Sequence, residues 1–206
     1  MRFVIRNTCL PVLAGLIVSL GHPASAAEVS GIRLEDSVML GNQSLQLNGA
    51  GTRYKLVFKV YVTGLYLAAK KSSAAEVFAA AGPKRISIAM LRDVGNEEFA
   101  RSFMAGIRTN TDKADKVRIT PQLLKFGELF ASIPELKKGD LLTTDWVPGV
   151  GTQIQLNGKK IAEPFPDVTF FNAILKIWLG ENPADGTLKR LLLGETIEDK
   201  QHATAH

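Results

Sequence analysis

Cysteine and histidine are almost missing from this chain of 206 residues: Cys9 is the only cysteine, and the histidines are His22, His202 and His206. If the first 26 residues are removed, as argued below, the remaining body has no thiol, and its imidazoles lie only in a polar tail. That excludes a cysteine nucleophile and a thiolate metal site, and it leaves a Ser-His-Asp triad or a His-ligated zinc without its ligands. A phosphate loop, a dinucleotide fingerprint and paired metal-ligand spacings are also lacking, so neither a metal nor a cofactor is expected. No internal repeat or low-complexity run occurs, and no apolar stretch after the first twenty residues is long enough to span a bilayer. Charge of one sign does not dominate, with 25 Lys and Arg against 20 Asp and Glu. The scattered basic residues make nucleic acid a poor partner. Chemistry in such a chain rests on Arg, Lys, Tyr, Thr, Ser or carboxylates.

What is present is an ordinary globular mixture, 46% apolar and 22% charged. Met1-Arg2-Phe3-Val4-Ile5-Arg6 starts basic, an apolar run follows from Cys9 to Leu20, and Ala24-Ser25-Ala26 supplies small residues of the A-x-A kind. These are the three parts of a secretory signal peptide over residues 1–26, cleaved after Ala26. Cys9 opens the apolar run instead of closing it, which favours soluble export to the periplasm over lipid anchoring. Loss of Arg2 and Arg6 leaves 23 basic against 20 acidic side chains. A single domain is expected over 27–195, followed by a flexible tail over 196–206. About 170 residues bury enough apolar surface to fold without disulfides.

From Val29 to Leu67 apolar residues recur at spacing two, with breaks expected at Gly41-Asn42 and at Asn48-Gly49-Ala50-Gly51. Leu56–Leu67 is the strongest strand pattern. Leu56, Phe58, Val60 and Val62 are expected on one face, with Val57, Lys59, Tyr61 and Thr63 on the other. Bulk on both faces makes it an interior strand. A short helix over 73–81, a strand over 84–94, and a helix capped by Asn96 with a Phe99-Phe103-Ile107 stripe follow. Thr120-Pro121 is expected to open another helix, with Leu123, Leu124 and Phe130 on its apolar face, joined by Phe126 and Ile133. Strands over 141–147, 152–156 and 160–162, the last two joined by Asn157-Gly158, precede helices over 167–179 and 184–193. This order predicts an α+β fold: an open-faced, largely antiparallel β-sheet with helices packed on one face.

Arg53 follows the Gly49-Ala50-Gly51 stretch, whose glycines allow a tight turn. A guanidinium on an apolar sheet face needs an anionic partner, and a ligand carboxylate or phenolate satisfies it bidentately. The alternative is pairing with a protein carboxylate or with water. Tyr61 offers a phenol that donates to a ligand oxygen while its ring lines an apolar pocket. It converges with Arg53 only if the intervening loop folds back; otherwise it is an ordinary core tyrosine, and Tyr66 falls on the opposite face. Phe99 and Phe103, with the cluster Phe165, Phe170, Phe171 and Trp178, either line a cavity for an apolar tail or form plain core.

Gly51-Thr52-Arg53 and Lys59-Val60-Tyr61-Val62-Thr63-Gly64-Leu65-Tyr66-Leu67 resemble the G-x-R and K-F-x-x-x-G-x-Y-L segments of chalcone isomerase. The run Phe170–Gly180, with Pro183 and Leu188-Lys189, looks like the closing helices of bacterial chalcone isomerase-like proteins. The resemblance implies a ligand cleft between sheet and helices. In it Arg53 matches the arginine that holds the developing oxyanion in the plant enzymes, and Tyr61 stands at a threonine that helps to position a water. The plant helix pattern Y-x-x-K-x-x-x-N falls on Phe99, Ser102 and Gly106, so its three polar groups are missing. An Arg and a Tyr above an apolar cavity are similar to the non-catalytic branch of the superfamily, which binds fatty acids by the carboxylate. The expectation is therefore a non-catalytic binder of a small amphipathic carboxylate, held by Arg53, Tyr61, Phe99 and Phe103. The alternative is an isomerase or intramolecular lyase acting on a chalcone-like or enolisable substrate. A third possibility is an envelope module that binds a partner and no small ligand.

Overall fold

The computed structural model describes residues 26–196. Apart from Ala26 and Thr196, the expected signal peptide and tail lie outside the described residues, as do Cys9 and all three histidines.

Strands β1 (Ala26–Val29) and β2 (Ile32–Glu35) form a small hairpin. The main sheet is seven-stranded and antiparallel throughout, built from β3 (Ser37–Leu40), β4 (Gln43–Lys55), β5 (Phe58–Leu67), β6 (Lys84–Met90), β9 (Leu141–Val147), β10 (Gly151–Leu156) and β11 (Lys159–Lys160). Its order is β11-β10-β9-β6-β5-β4-β3, so β5 is an interior strand. Two short strands, β7 (Val94–Gly95) and β8 (Glu135–Leu136), pair beside it. Helices α1 (Ala74–Ala79), α2 (Asn96–Asn110), α3 (Lys113–Ala131), α4 (Val168–Leu179) and α5 (Gly186–Leu192) complete the chain. The core packs them against one sheet face, as the α+β pattern predicts. On the other face Leu40, Leu45 and Tyr66 form a smaller cluster, and the Ser30 hydroxyl, 2.8 Å from that of Thr52, ties the β1–β2 hairpin to β4.

Helix α4 buries eight of its twelve residues, Phe170, Phe171, Ala173 to Leu175 and Ile177 to Leu179, because it contacts α2, α3, α5 and the sheet. Its Lys176 reaches Asp115 at 3.3 Å. Ser73 and Glu76 cap α1 reciprocally, satisfying two helix-end donors.

Several boundaries differ from the sequence pattern, each for a physical reason. Gly49 and Gly51 make no turn. They lie inside β4, and a Cβ on Gly49 would overlap the Leu191 carbonyl oxygen, so the glycines let α5 rest on the strand. Leu56 and Val57 are not strand residues but a two-residue turn joining Lys55 to Phe58, with Leu56 at φ +57°. The long β4–β5 ladder outweighs a local strain of about 1–2 kcal/mol. Val60 is the extra residue of a β-bulge, so it joins Tyr61 on the helix side rather than Val62 on the far side. Strand β6 ends at Met90, short of Val94. Helix α2 is capped at Gly95, and Asn96 instead accepts from the next N–H.

Helix α3 starts at Lys113, not at Thr120, because Asp112 caps it by accepting from the Asp115 N–H. Pro121 therefore sits inside the helix. The earlier start places Ile119, Phe126 and Phe130 in the core and turns Leu124 to solvent. Strand β11 is Lys159–Lys160, one residue ahead of its expected start, because Asn157 and Gly158, at φ +53° and +77°, complete the turn alone.

Candidate functional site

The hairpin turn at Leu56-Val57 folds β5 back along β4 and makes Arg53 and Tyr61 direct cross-strand partners. Both lie against a cavity of about 280 Å³ between the sheet and helices α2 and α4. Phe99 and Phe103 line it from α2, and Ile177 and Trp178 from α4. The four candidate residues Arg53, Tyr61, Phe99 and Phe103 are thus brought to one place.

The phenylalanine stripe does two things. Its outer edge faces the cavity, while behind it Phe103 stacks on Phe126 at 4.6 Å and Phe99 on Phe130 at 5.1 Å. This aromatic packing joins the stripe to the core. Phe165, Phe170 and Phe171, by contrast, are core and line none of it. The volume is near the lower end of the ~300–1,000 Å³ usual for small-ligand sites.

Trp178 donates its indole N–H to the Tyr61 hydroxyl at 3.0 Å. The phenol proton has no acceptor among the described residues, so Tyr61 is free to donate into the cavity. Burial pushes the Tyr61 phenol above its ordinary pKa, against the opposing pull of the Trp178 bond and the nearby Arg53 charge. It therefore stays a protonated donor at neutral pH.

Arg53 lies 3.6 Å from the Asp185 carboxylate, longer than a hydrogen bond, and both side chains are largely buried. Asp185 spends its other oxygen on the N–H groups of Thr187 and Leu188 as the cap of α5. The protein-carboxylate alternative for Arg53 is thus realised in part, as a loose pair that leaves guanidinium donors for a ligand. At the cavity mouth Lys55 donates to Glu98 at 3.0 Å, and Arg92 reaches the same carboxylate at 3.2 Å. The hydrogen bond from Lys55, more than any other contact, holds the Glu98 carboxyl below the usual range. Three cations, Arg53, Lys55 and Arg92, therefore face two carboxylates, Glu98 and Asp185.

Sequence reasoning missed Asp185, Lys55 and Glu98. Asp185-Gly186-Thr187 reads as a helix cap, but nothing local shows that this cap meets an arginine 132 residues earlier in the chain. Among the described residues no group of His, Cys, Asp and Glu is placed to hold a metal ion.

The family model of chalcone isomerase-like proteins matches residues 26–194. The chain belongs to the chalcone isomerase-like family. Within this chalcone isomerase-like chain, Phe99, Ser102 and Gly106, on which the plant helix pattern is expected to fall, all line the cavity. A Cβ on Gly106 would stand 3.0 Å from Ile177 Cγ2, so α2 and α4 approach too closely there for a longer side chain to enter without a shift. A crystal structure of a fatty-acid-binding protein from Arabidopsis thaliana is similar in fold, with a TM-score of 0.61 and 17% identity. The match covers 80% of this chain and 92% of that one. No curated protein matches the chain.

Proposed function

We propose that the protein is an exported, non-catalytic binder of a small amphipathic carboxylate such as a fatty acid. The observation that carries this reading is the cross-strand Arg53–Tyr61 pair at the wall of an apolar cavity. The guanidinium and the phenol proton converge as donors on one oxyanion, while Phe99, Phe103 and Ile177 offer an apolar wall to the tail. The net cationic mouth favours an anion over a neutral ligand. The fold shared with the Arabidopsis fatty-acid-binding protein supports the same reading. The signal-peptide pattern of residues 1–26 is what supports export to the periplasm.

The cavity volume supports a short ligand, or a longer one whose tail end leaves through the mouth. The lining gives little support to proton abstraction. Glu98 is held ionised between Lys55 and Arg92, Asp185 caps a helix, and Tyr61 is poised to donate rather than to accept.

The test is to produce the whole chain with its own N-terminal segment in a Gram-negative host and extract the purified periplasmic protein for mass spectrometry. A carboxylated amphiphile near one equivalent is expected, reduced at least tenfold in Arg53→Ala with unchanged circular dichroism. Equal retention of the same acid by the variant would overturn the assignment. Turnover of added chalcone above the spontaneous rate, lost in Arg53→Ala, would favour the isomerase reading instead.

A further inference from the structure

The β4–β5 turn presents an apolar surface that nothing in the fold uses. Leu56, Val57 and Phe58 are 91, 82 and 64% exposed, and Tyr54 adds a half-exposed ring. Two-residue hairpin turns favour Asn-Gly, which tolerates positive φ and prefers water. Here a leucine occupies the left-handed position and points to solvent. The sequence thus accepts both strain and exposure at one point. The β4–β5 ladder accounts for the strain but not for the exposure, since these side chains bury little core surface.

Charge accompanies the apolar tip. Lys55 and Lys59 flank it, both exposed, and Arg92 lies behind Glu98 at its base. Among the described residues Glu98 is the one carboxylate paired with these cations, and Lys55 and Arg92 share it. A short apolar protrusion rimmed by lysines complements an anionic lipid surface: the apolar side chains enter the acyl boundary while the ammonium groups remain among the phosphates.

We propose that the Tyr54–Lys59 hairpin tip docks this protein onto an anionic bilayer, with Leu56, Val57 and Phe58 inserted. Lys55 belongs both to the tip and to the lining of the cavity, so docking brings the cavity mouth to the membrane surface. Delivery of an acid to the bilayer, or its extraction, rests on the binder reading above; docking itself does not.

The test uses the purified protein with vesicles of phosphatidylglycerol and phosphatidylethanolamine, in sedimentation and in fluorescence. The N-terminal segment 1–26 is treated identically in every arm, so differences report on the tip. A Leu56→Trp variant is expected to show a blue-shifted tip emission on these vesicles but not on phosphatidylcholine alone. A Leu56→Asp/Phe58→Asp variant is expected to lose at least tenfold in partitioning, and Lys55→Gln/Lys59→Gln to lose the dependence on anionic lipid. No shift from Trp at position 56, or equal partitioning of the Asp variant, would overturn the proposal. So would a wild-type dimer that the Asp variant splits while vesicle binding is unaffected, because the tip would then seat a second copy. Acid retained by the tip variant, and vesicle binding retained by Arg53→Ala, would show that docking and ligand capture stand or fall separately.

Discussion

Tyr61 stands under two opposing influences. Its ring packs partly buried against the apolar core, which disfavours the phenolate, while the indole N–H of Trp178 and the charge of Arg53 favour it; burial prevails. Its folded pKa is therefore above the unfolded value near 10, and Tyr66 is raised for the same reason. The stability contributed by a raised group is fully present below the unfolded pKa and is lost as pH rises through the folded one. Unfolding free energy should be insensitive to these tyrosines below about pH 10 and fall above it. The chain has three tyrosines. An absorbance titration near 295 nm should show at least two of them ionising late, and Tyr61→Phe should remove one late step and soften the alkaline loss of stability. That variant also leaves the Trp178 N–H without its acceptor, at about 1–3 kcal/mol in urea unfolding. Retention of both late steps in Tyr61→Phe would mean that position 61 is not the buried donor.

Helix α5 shows what can and cannot be read at the level of the element. Its seat on β4 depends on Gly49 and Gly51, and on Asn48, the extra residue of a second bulge. The Asn48 amide donates to the Leu192 carbonyl at 2.7 Å, and its oxygen accepts from the Lys71 N–H at 2.6 Å. Gly49→Ala should therefore push α5 off the strand and cost about 3 kcal/mol. Because Asp185 moves with α5, the same variant should weaken the hold on Arg53 and lower acid affinity severalfold, measured by displacement of a fluorescent fatty acid. An alanine tolerated within 0.5 kcal/mol would show that the helix does not need this contact.

The glycines were visible in the sequence, but their purpose was not. A Gly-x-Gly run reads equally as a turn or as a close approach, and only the partner 140 residues away distinguishes them. The same limit applies to Leu56-Val57, where no turn-forming residue marks a reversal that the strand ladder imposes. Amphipathic stripes were more legible. Phe99, Phe103 and Ile107 are buried as their spacing predicts, and Asp167 and Asp185 cap the last two helices close to the expected starts. Thr120-Pro121 misled because an aspartate eight residues earlier supplied a better cap. Arg53 and Tyr61 were identifiable by residue type alone, whereas their juxtaposition depended on the unmarked turn, and Asp185 on the docking of α5.

Across the whole molecule, the β6–β9 pairing closes the structure. It joins the strands of the N-terminal half to those of the C-terminal half after an excursion through α2 and α3. At that seam Arg85 faces Asp145 across the sheet, donating through Nε at 2.6 Å and Nη2 at 2.7 Å, a bidentate pair whose carboxylate is fully buried. Such a pair adds little over an apolar replacement, yet removing one member strands the other. Arg85→Met should leave Asp145 without its cation and destabilise by about 3 kcal/mol, at the low end of the usual range because the guanidinium is partly exposed. Adding Asp145→Leu should recover most of that loss, since the buried charge is then gone. The pair lies on the sheet face away from the cavity, so the double variant should bind its acid as the wild type does. If the single and double variants unfold at the same urea midpoint, the stranded charge is not what Arg85→Met costs. If the double variant also loses its ligand, the two faces of the sheet are coupled through the strands themselves.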